Sequence, residues 1–270
     1  MNVYNKTIVV TGAGSGMGRE LVFALLTKGA RIAAVDMREA TLEQTMQLAG
    51  QKAERISAHV VDITDKAAVE ALPKDVIAKH GTVDGIINNA GIIQPFVRVN
   101  DLDYEAINRV MNVNFYGALY MVKAFLPLLL KRPEAHIVNI SSMGGFLPVP
   151  GQSVYGASKA AIKLLTEGLY AELANTNVRV SVVFPGATNT NITANSGVKG
   201  PELPSSSSQK KGISMLPARE AASIIIHGME KNKPRIFVGK DSKLMNILYR
   251  LSPAFATNLI AKQMKSLLPK

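Results

Sequence analysis

Cysteine is absent from the 270-residue chain. Without a thiol there is no disulfide and no thiolate metal site, and the composition suits a reducing compartment. Histidine is scarce as well. His59, His80, His136 and His227 are scattered without metal-ligand spacing, so they read as structural or surface groups and no metal is expected. Acidic residues are outnumbered, 20 against 31 Lys and Arg, which gives a formal net charge of +11. That excess is not arranged for nucleic acid, because no basic cluster with interleaved aromatics is present. There is no internal repeat, and no apolar run reaches the ~20 residues that a membrane-crossing helix needs. The first strand-like segment begins at once, leaving no room for a signal segment, so a cytoplasmic protein is expected. The length is ample for one α/β core.

What the chain does contain is a rhythm. Short β-branched runs alternate with longer helical patterns, the mark of a parallel sheet covered on both faces. Strands are predicted at 7–11, 31–36, 55–62, 83–88, 135–141, 178–184 and 235–238, giving a seven-stranded doubly wound sheet. Long helices are predicted at 103–131, with Pro127 kinking it or ending a turn, and at 152–174. The segment 191–217 breaks the rhythm with Gly197, Gly200, Pro201, Pro204 and a serine run from Ser205 to Ser208. It reads either as a surface excursion or as a lid over a substrate. The expected organisation is one domain over 1–240 and a basic amphipathic tail over 241–270.

Two motifs carry chemistry. The strand Lys6-Thr7-Ile8-Val9-Val10 runs into Thr11-Gly12-Ala13-Gly14-Ser15-Gly16-Met17-Gly18 and then a helix. Strand, glycine turn and helix in that order make a dinucleotide cradle, with backbone N–H groups and the helix N-terminus facing a pyrophosphate. The commoner G-x-G-x-x-G spacing fails at Met17; the pattern present is Gly12-x-x-x-Gly16-x-Gly18. Far downstream, Tyr155 and Lys159 stand four apart on a predicted helix, which places a phenol and an ammonium on one face. The cation is expected to draw the phenol toward physiological pH, where it serves as general acid or base.

Together these motifs make the chain resemble the short-chain dehydrogenase/reductase family over roughly residues 5–240. The resemblance implies a single-domain Rossmann-type fold and a set of site residues. Gly12, Ser15, Gly16, Met17 and Gly18 would form the cofactor loop. Asn89, Ala90 and Gly91, in Asn88-Asn89-Ala90-Gly91, would pass the cofactor, and Asp62 with Ile63 would contact the adenine, although Asp62 also reads as a helix N-cap. Asn114 would hold a water relay. Ser142, thirteen residues before Tyr155, would bind the substrate oxygen in preference to Ser141. Pro185, Gly186, Thr188 and Thr190 would line the nicotinamide end. Tyr155 would transfer the proton, and Lys159 would lower its pKa and bind the nicotinamide ribose. Asp36, at the end of the second strand, would accept from ribose hydroxyls and repel a 2′-phosphate, which favours NAD over NADP. Arg19 and Arg38 remain close enough in sequence to neutralise such a phosphate. The implied reaction is hydride exchange between a secondary alcohol and a carbonyl, on a small-molecule substrate and without a metal. A non-catalytic binding protein on this fold is the alternative.

The segments that wall the pocket in the family are apolar here: Ile92-Ile93-Gln94-Pro95-Phe96 and Phe146-Leu147-Pro148-Val149-Pro150. They point to a lipophilic substrate, acyl-chain or sterol-like, or else simply pack the core. After Gly239 the chain carries Lys240, Lys243, Arg250, Lys262, Lys265 and Lys270 against Asp241 alone, interleaved with apolar runs that Pro253 divides. Such a tail lies on an anionic membrane, closes over a pocket mouth or packs in an oligomer. A homo-oligomer, dimer or tetramer, is implied by the resemblance.

Overall fold

The computed structural model describes residues 1–198 and 215–264. Six strands come first: β1 (Thr7–Thr11), β2 (Arg31–Asp36), β3 (Ile56–Val60), β4 (Gly85–Asn88), β5 (Ala135–Ile140) and β6 (Val178–Pro185). A two-residue pair, β7 (Thr188–Asn189) and β8 (Leu216–Pro217), follows, and β9 (Arg235–Val238) closes the set. The main sheet is parallel throughout, in the order β3-β2-β1-β4-β5-β6-β9. Every residue of β1, β4 and β5 is buried, so these strands are continuously apolar or internally bonded rather than alternating.

Helices cover both faces. α1 (Gly16–Thr27) and α2 (Glu39–Ala49) lie on one, α3 (Lys66–His80) on the other. α4 (Tyr104–Met111), a π-helical turn (Asn112–Gly117) and α5 (Ala118–Leu129) follow as successive helical segments, and α6 (Ser153–Glu172) packs beside them. After α7 (Ile192–Asn195), α8 (Ala218–Glu230) joins α1. One apolar core gathers Leu21, Leu25, Leu42, Ile225 and Met229 against the sheet, and the opposite core gathers Val69, Leu72, Met121, Phe125 and Leu169. The strand order reverses between β1 and β4, and that reversal opens a crevice at the carboxyl ends of the strands.

The predicted sheet is present, with shorter margins. β3 begins after a 3₁₀ turn (Gly50–Arg55) and stops before Asp62, although Val61 N still donates to Asp36 O at 3.0 Å. The 103–131 helix starts where Asp103 Oδ1 accepts from Ala106 N at 2.6 Å. Pro127 sits in the last turn of α5, where its missing N–H leaves out one helical bond to the preceding turn, and the helix runs on to Leu129. The π-turn within this helix has no sequence signal, and turns of this kind recur at functional sites. Of the predicted lid, 199–214 lies outside the described residues.

The tail forms two helices, α9 (Lys240–Leu251) and α10 (Pro253–Gln263), split at Pro253. It is not a separate appendage. Ala256 and Ile260 bury Leu147 completely, with Met245, Leu248 and Tyr249 packed around them. Residues 265–270 lie outside the described residues.

Candidate active site

The crevice is a cavity of about 370 Å³ between the β1 and β4 ends. Its floor is backbone. A Cβ on Gly18 would lie 1.9 Å from Gly12 O, and Gly12 itself has φ +66°. Only glycine lets α1 approach β1 this closely. Asp36 is 8% exposed, and its Oδ2 accepts from Gly14 N at 3.0 Å while Oδ1 accepts from Arg38 N at 3.1 Å. Arg38 Nε is 3.8 Å from the same carboxylate, and Arg38 also donates to Asn195 Oδ1 at 3.0 Å. Asn195 in turn donates to Ser15 Oγ at 2.8 Å, so α7 straps across the cavity edge. Arg19 is bonded to the protein itself. Its guanidinium holds Gly14 O, Gln44 Oε1 and Thr45 Oγ1 behind the loop. Gly16, Met17, Asp62, Ile63 and Thr190 also line the cavity.

The far wall comes from the turn after β4. Thr11 Oγ1 accepts from both Asn89 N (3.0 Å) and Ala90 N (3.1 Å), and Asn89 Nδ2 donates to Thr11 O at 3.0 Å. A Cβ on Gly91 would sit 3.0 Å from Lys159 Nζ and 3.2 Å from Asn114 Oδ1, so both groups face the space over that glycine. Asn114 is fully engaged: Oδ1 accepts from Ile92 N, and Nδ2 donates to Ile92 O and Ser158 Oγ, all at 2.9 Å. Its side chain therefore clamps the wall. Asp62 is not a helix cap; its Oδ1 accepts from Thr64 N and Thr64 Oγ1, and Asp65 caps α3.

Ser142, Tyr155 and Lys159 converge beside this wall. A Cβ on Gly144 would lie 3.5 Å from both Ser142 Oγ and Tyr155 Cε1. Ser141 points elsewhere, donating to Lys159 O at 2.7 Å. Lys159 is buried, donates to Ile140 O at 3.0 Å, and lies 6.0 Å from the Tyr155 ring centroid. Burial pushes its pKa down to about 8. Burial also pushes the Tyr155 phenol up, with the Ser142 hydroxyl pulling the other way. In the protein alone burial sets the direction, because a buried phenolate loses its water.

Pro185, Gly186 and Thr188, expected at the nicotinamide end, stand at the end of β6 and in β7, outside the cavity lining. The tail fixes them. Asp241 Oδ2 accepts from Ala187 N at 2.8 Å, Ser242 Oγ donates to Phe184 O at 2.7 Å, and a Cβ on Gly186 would strike the Asp241 carboxylate at 2.2 Å. The expected pocket wall is partly core. Phe146 packs against Phe184 and Tyr249 with ring centroids 5.5 and 6.3 Å away, and Leu147 lies under α10. Three residues that hold the site went unassigned in the sequence: Thr11, Gln94 and Asp241. Gln94 alone left a signal there, as a polar residue in an otherwise apolar run. Among the described residues no group of three His, Cys, Asp or Glu is placed to hold a metal.

A dinucleotide fits this cradle: side-chain-free backbone at the loop, a helix N-terminus, and a carboxylate at the β2 end. Comparison with known proteins agrees. The short chain dehydrogenase family model matches residues 6–199. The chain is 34% identical over 268 residues to the putative oxidoreductase SadH of Mycobacterium tuberculosis, covering 98% of this chain and 97% of that one. A short-chain dehydrogenase/reductase from Burkholderia phymatum, solved with NAD, superposes with TM-score 0.80 at 26% identity, over 93% of this chain and 96% of that one. One from Burkholderia cenocepacia, solved with NADP, gives TM-score 0.79 at 27% identity over 98% and 99%. The chain belongs to the short-chain dehydrogenase/reductase family, a family of nicotinamide-dependent oxidoreductases.

Proposed function

We propose that the protein interconverts a lipophilic secondary alcohol and its ketone, with NAD as preferred cofactor and Tyr155 as general acid and base. The observation that carries this reading is the convergence of Ser142 and Tyr155 around Gly144, with Lys159 behind them. Bound in the cavity, the nicotinamide would supply or accept the hydride. The chain's own work is then one proton and one orientation. In oxidation the Tyr155 oxygen takes the hydroxyl proton, and in reduction it returns it. Ser142 Oγ donates to the substrate oxygen and holds it beside the phenol. Lys159, protonated below about pH 8, stabilises the phenolate electrostatically and reaches toward the ribose. Asn114 fixes the wall over Gly91.

NAD is preferred because Asp36 presents a carboxylate where a 2′-phosphate would sit, and Arg19 is committed elsewhere. The lipophilic assignment is supported by the uncharged residues of the two segments on either side of the site in sequence, Ile92, Pro95 and Phe96 after the β4 turn and Val149 and Pro150 just before α6. The tail adds to it. Leu244, Ile247, Leu251 and Phe255 are exposed on its outer side, interspersed with the exposed cations Lys240, Lys243, Arg250 and Lys262, which suits peripheral contact with an anionic membrane. No described helix is long and apolar enough to cross a membrane. Exposed Tyr116, Leu130, Leu164 and Tyr170 on the long helices supply a face for a homo-oligomer.

The test is Tyr155→Phe, which keeps the ring and removes the exchangeable proton. Turnover should fall ~10²–10⁴-fold while the NAD dissociation constant stays within about twofold. A variant that retains more than half the activity would remove Tyr155 from the mechanism.

A further inference from the structure

The first turn of α6 has no cap of its own. Gln152 occupies the N-cap position, but its side chain makes no capping hydrogen bond. The amide acceptor comes instead from Gln94, about sixty residues earlier, on the loop that follows the Asn-Asn-Ala-Gly turn. Gln94 is 0% exposed. Its Oε1 accepts from Val154 N at 2.8 Å and from Tyr155 N at 3.0 Å. Its Nε2 donates to Gly151 O at 3.0 Å, and its backbone carbonyl accepts from Gln152 Nε2 at 2.9 Å. Both ends of the side-chain amide are therefore spent, one on Gly151 just before α6 and the other on the first turn that carries Tyr155. The same loop is held at Ile92 by Asn114 and at Ile93 N by Ser196 Oγ at 2.9 Å.

We propose that Gln94 is a positioning residue for proton transfer, tying the loop that walls the cofactor cavity to the backbone of Tyr155. The inference rests on the proposed role of Tyr155. A side chain that bonds the Tyr155 amide sets where the phenol stands relative to Ser142, whose position comes from the other side of the site, at the end of β5. Misplacement by about 1 Å can cost ~10²-fold in rate. Gln94 touches neither reacting atom, so its effect falls on turnover rather than on cofactor affinity.

Two variants test this. Gln94→Met fills the same volume with no donor or acceptor, and Gln94→Glu keeps an acceptor for both α6 amides. For Gln94→Met the expected kcat is roughly tenfold to a hundredfold below wild type, with the KM and dissociation constant for NAD within about twofold. For Gln94→Glu the expected kcat lies within about threefold of wild type. A Gln94→Met kcat within twofold of wild type overturns the proposal. Equal losses in kcat and NAD affinity overturn it too, because they mark a general loosening of the fold. Should Gln94→Met fail to fold, Gln94→Glu decides: a tenfold loss of kcat with NAD binding intact would show that accepting from the Tyr155 amide is not what matters. Tyr155→Phe separates the two claims. If Tyr155→Phe is inactive and Gln94→Met is fully active, the mechanism stands and this inference alone fails.

Discussion

The two halves of the site are built from different material. The cofactor half, from Gly12 to Gly18 and across to Gly91, is a surface of backbone. Its geometry depends on where side chains are missing: Gly18 admits no Cβ against Gly12 O, and Gly91 none against Lys159 and Asn114 without close contact. The proton-handling half is the reverse. Ser142 stands just after β5 and Tyr155 and Lys159 on α6, but what holds them comes from distant segments: Gln94 of the β4 loop bonds the Tyr155 amide, and the turn after Ser142 packs under α10 through Leu147. One half is defined by local chain conformation, the other by long-range packing.

That contrast can be broken most directly at Gly18. Gly18→Ala places a methyl group 1.9 Å from the backbone oxygen of Gly12, which cannot swing aside as a side-chain end would. Overpacking of this kind costs ~1–3 kcal/mol, and the displaced cradle should weaken NAD binding by at least about tenfold. Calorimetric titration with NAD checks it; wild-type affinity would mean that α1 can shift without cost. Asp36→Ala should act within the same half but on selectivity. Removing the carboxylate should move the ratio of kcat/KM for NAD over NADP by an order of magnitude or more toward NADP. A wild-type protein that already turns over faster with limiting NADP than with limiting NAD would contradict the role given to Asp36.

A smaller effect sharpens the comparison from outside both halves. His136 is completely buried in β5, with Nε2 2.8 Å from Ser181 Oγ and Nδ1 without a partner. Burial holds its pKa down to about 3. The unfolded chain takes up a proton near pH 6.5 that the folded chain refuses, so this contribution is complete above pH ~6.5 and is lost as pH falls toward 3. The loss amounts to about 1.4 kcal/mol per pH unit at most. Urea unfolding at pH 7 and pH 4.5 should show a shallower acid decline for His136→Gln than for wild type. Parallel declines would place the acid sensitivity elsewhere.

How legible each half was in the sequence follows from the same contrast. The glycine loop, Asp36 and the Tyr155–Lys159 pair are recognisable because strand–turn–helix conformation and helical spacing are local properties. Seven strands could be placed within about two residues, since fully buried parallel strands read as continuous apolar runs. Gln94 as a remote cap, Asp241 as the brace of Ala187, and Thr11 as the lock on Asn89 are contacts between segments 60, 54 and 78 residues apart. Spacing rules carry no information at that range. The depth of burial at Tyr155 is illegible for a related reason: helical spacing shows the neighbouring cation but not the loss of water that raises the phenol. Phe146 and Leu147 read equally as pocket wall or as core in the sequence, because the packing of the tail helices against them is not visible in their own segment.

The substrate-facing half carries the central claim, and NADH formation across secondary alcohols of increasing chain length tests it most directly, in the intact protein and in a folded variant truncated before Leu244. The account predicts that kcat/KM of the intact protein rises with chain length by up to ~0.8 kcal/mol per added methylene. Truncation should flatten that rise while leaving the shortest alcohols least affected. Short or charged alcohols oxidised as well as long ones, or an equal loss at every length on truncation, would contradict it.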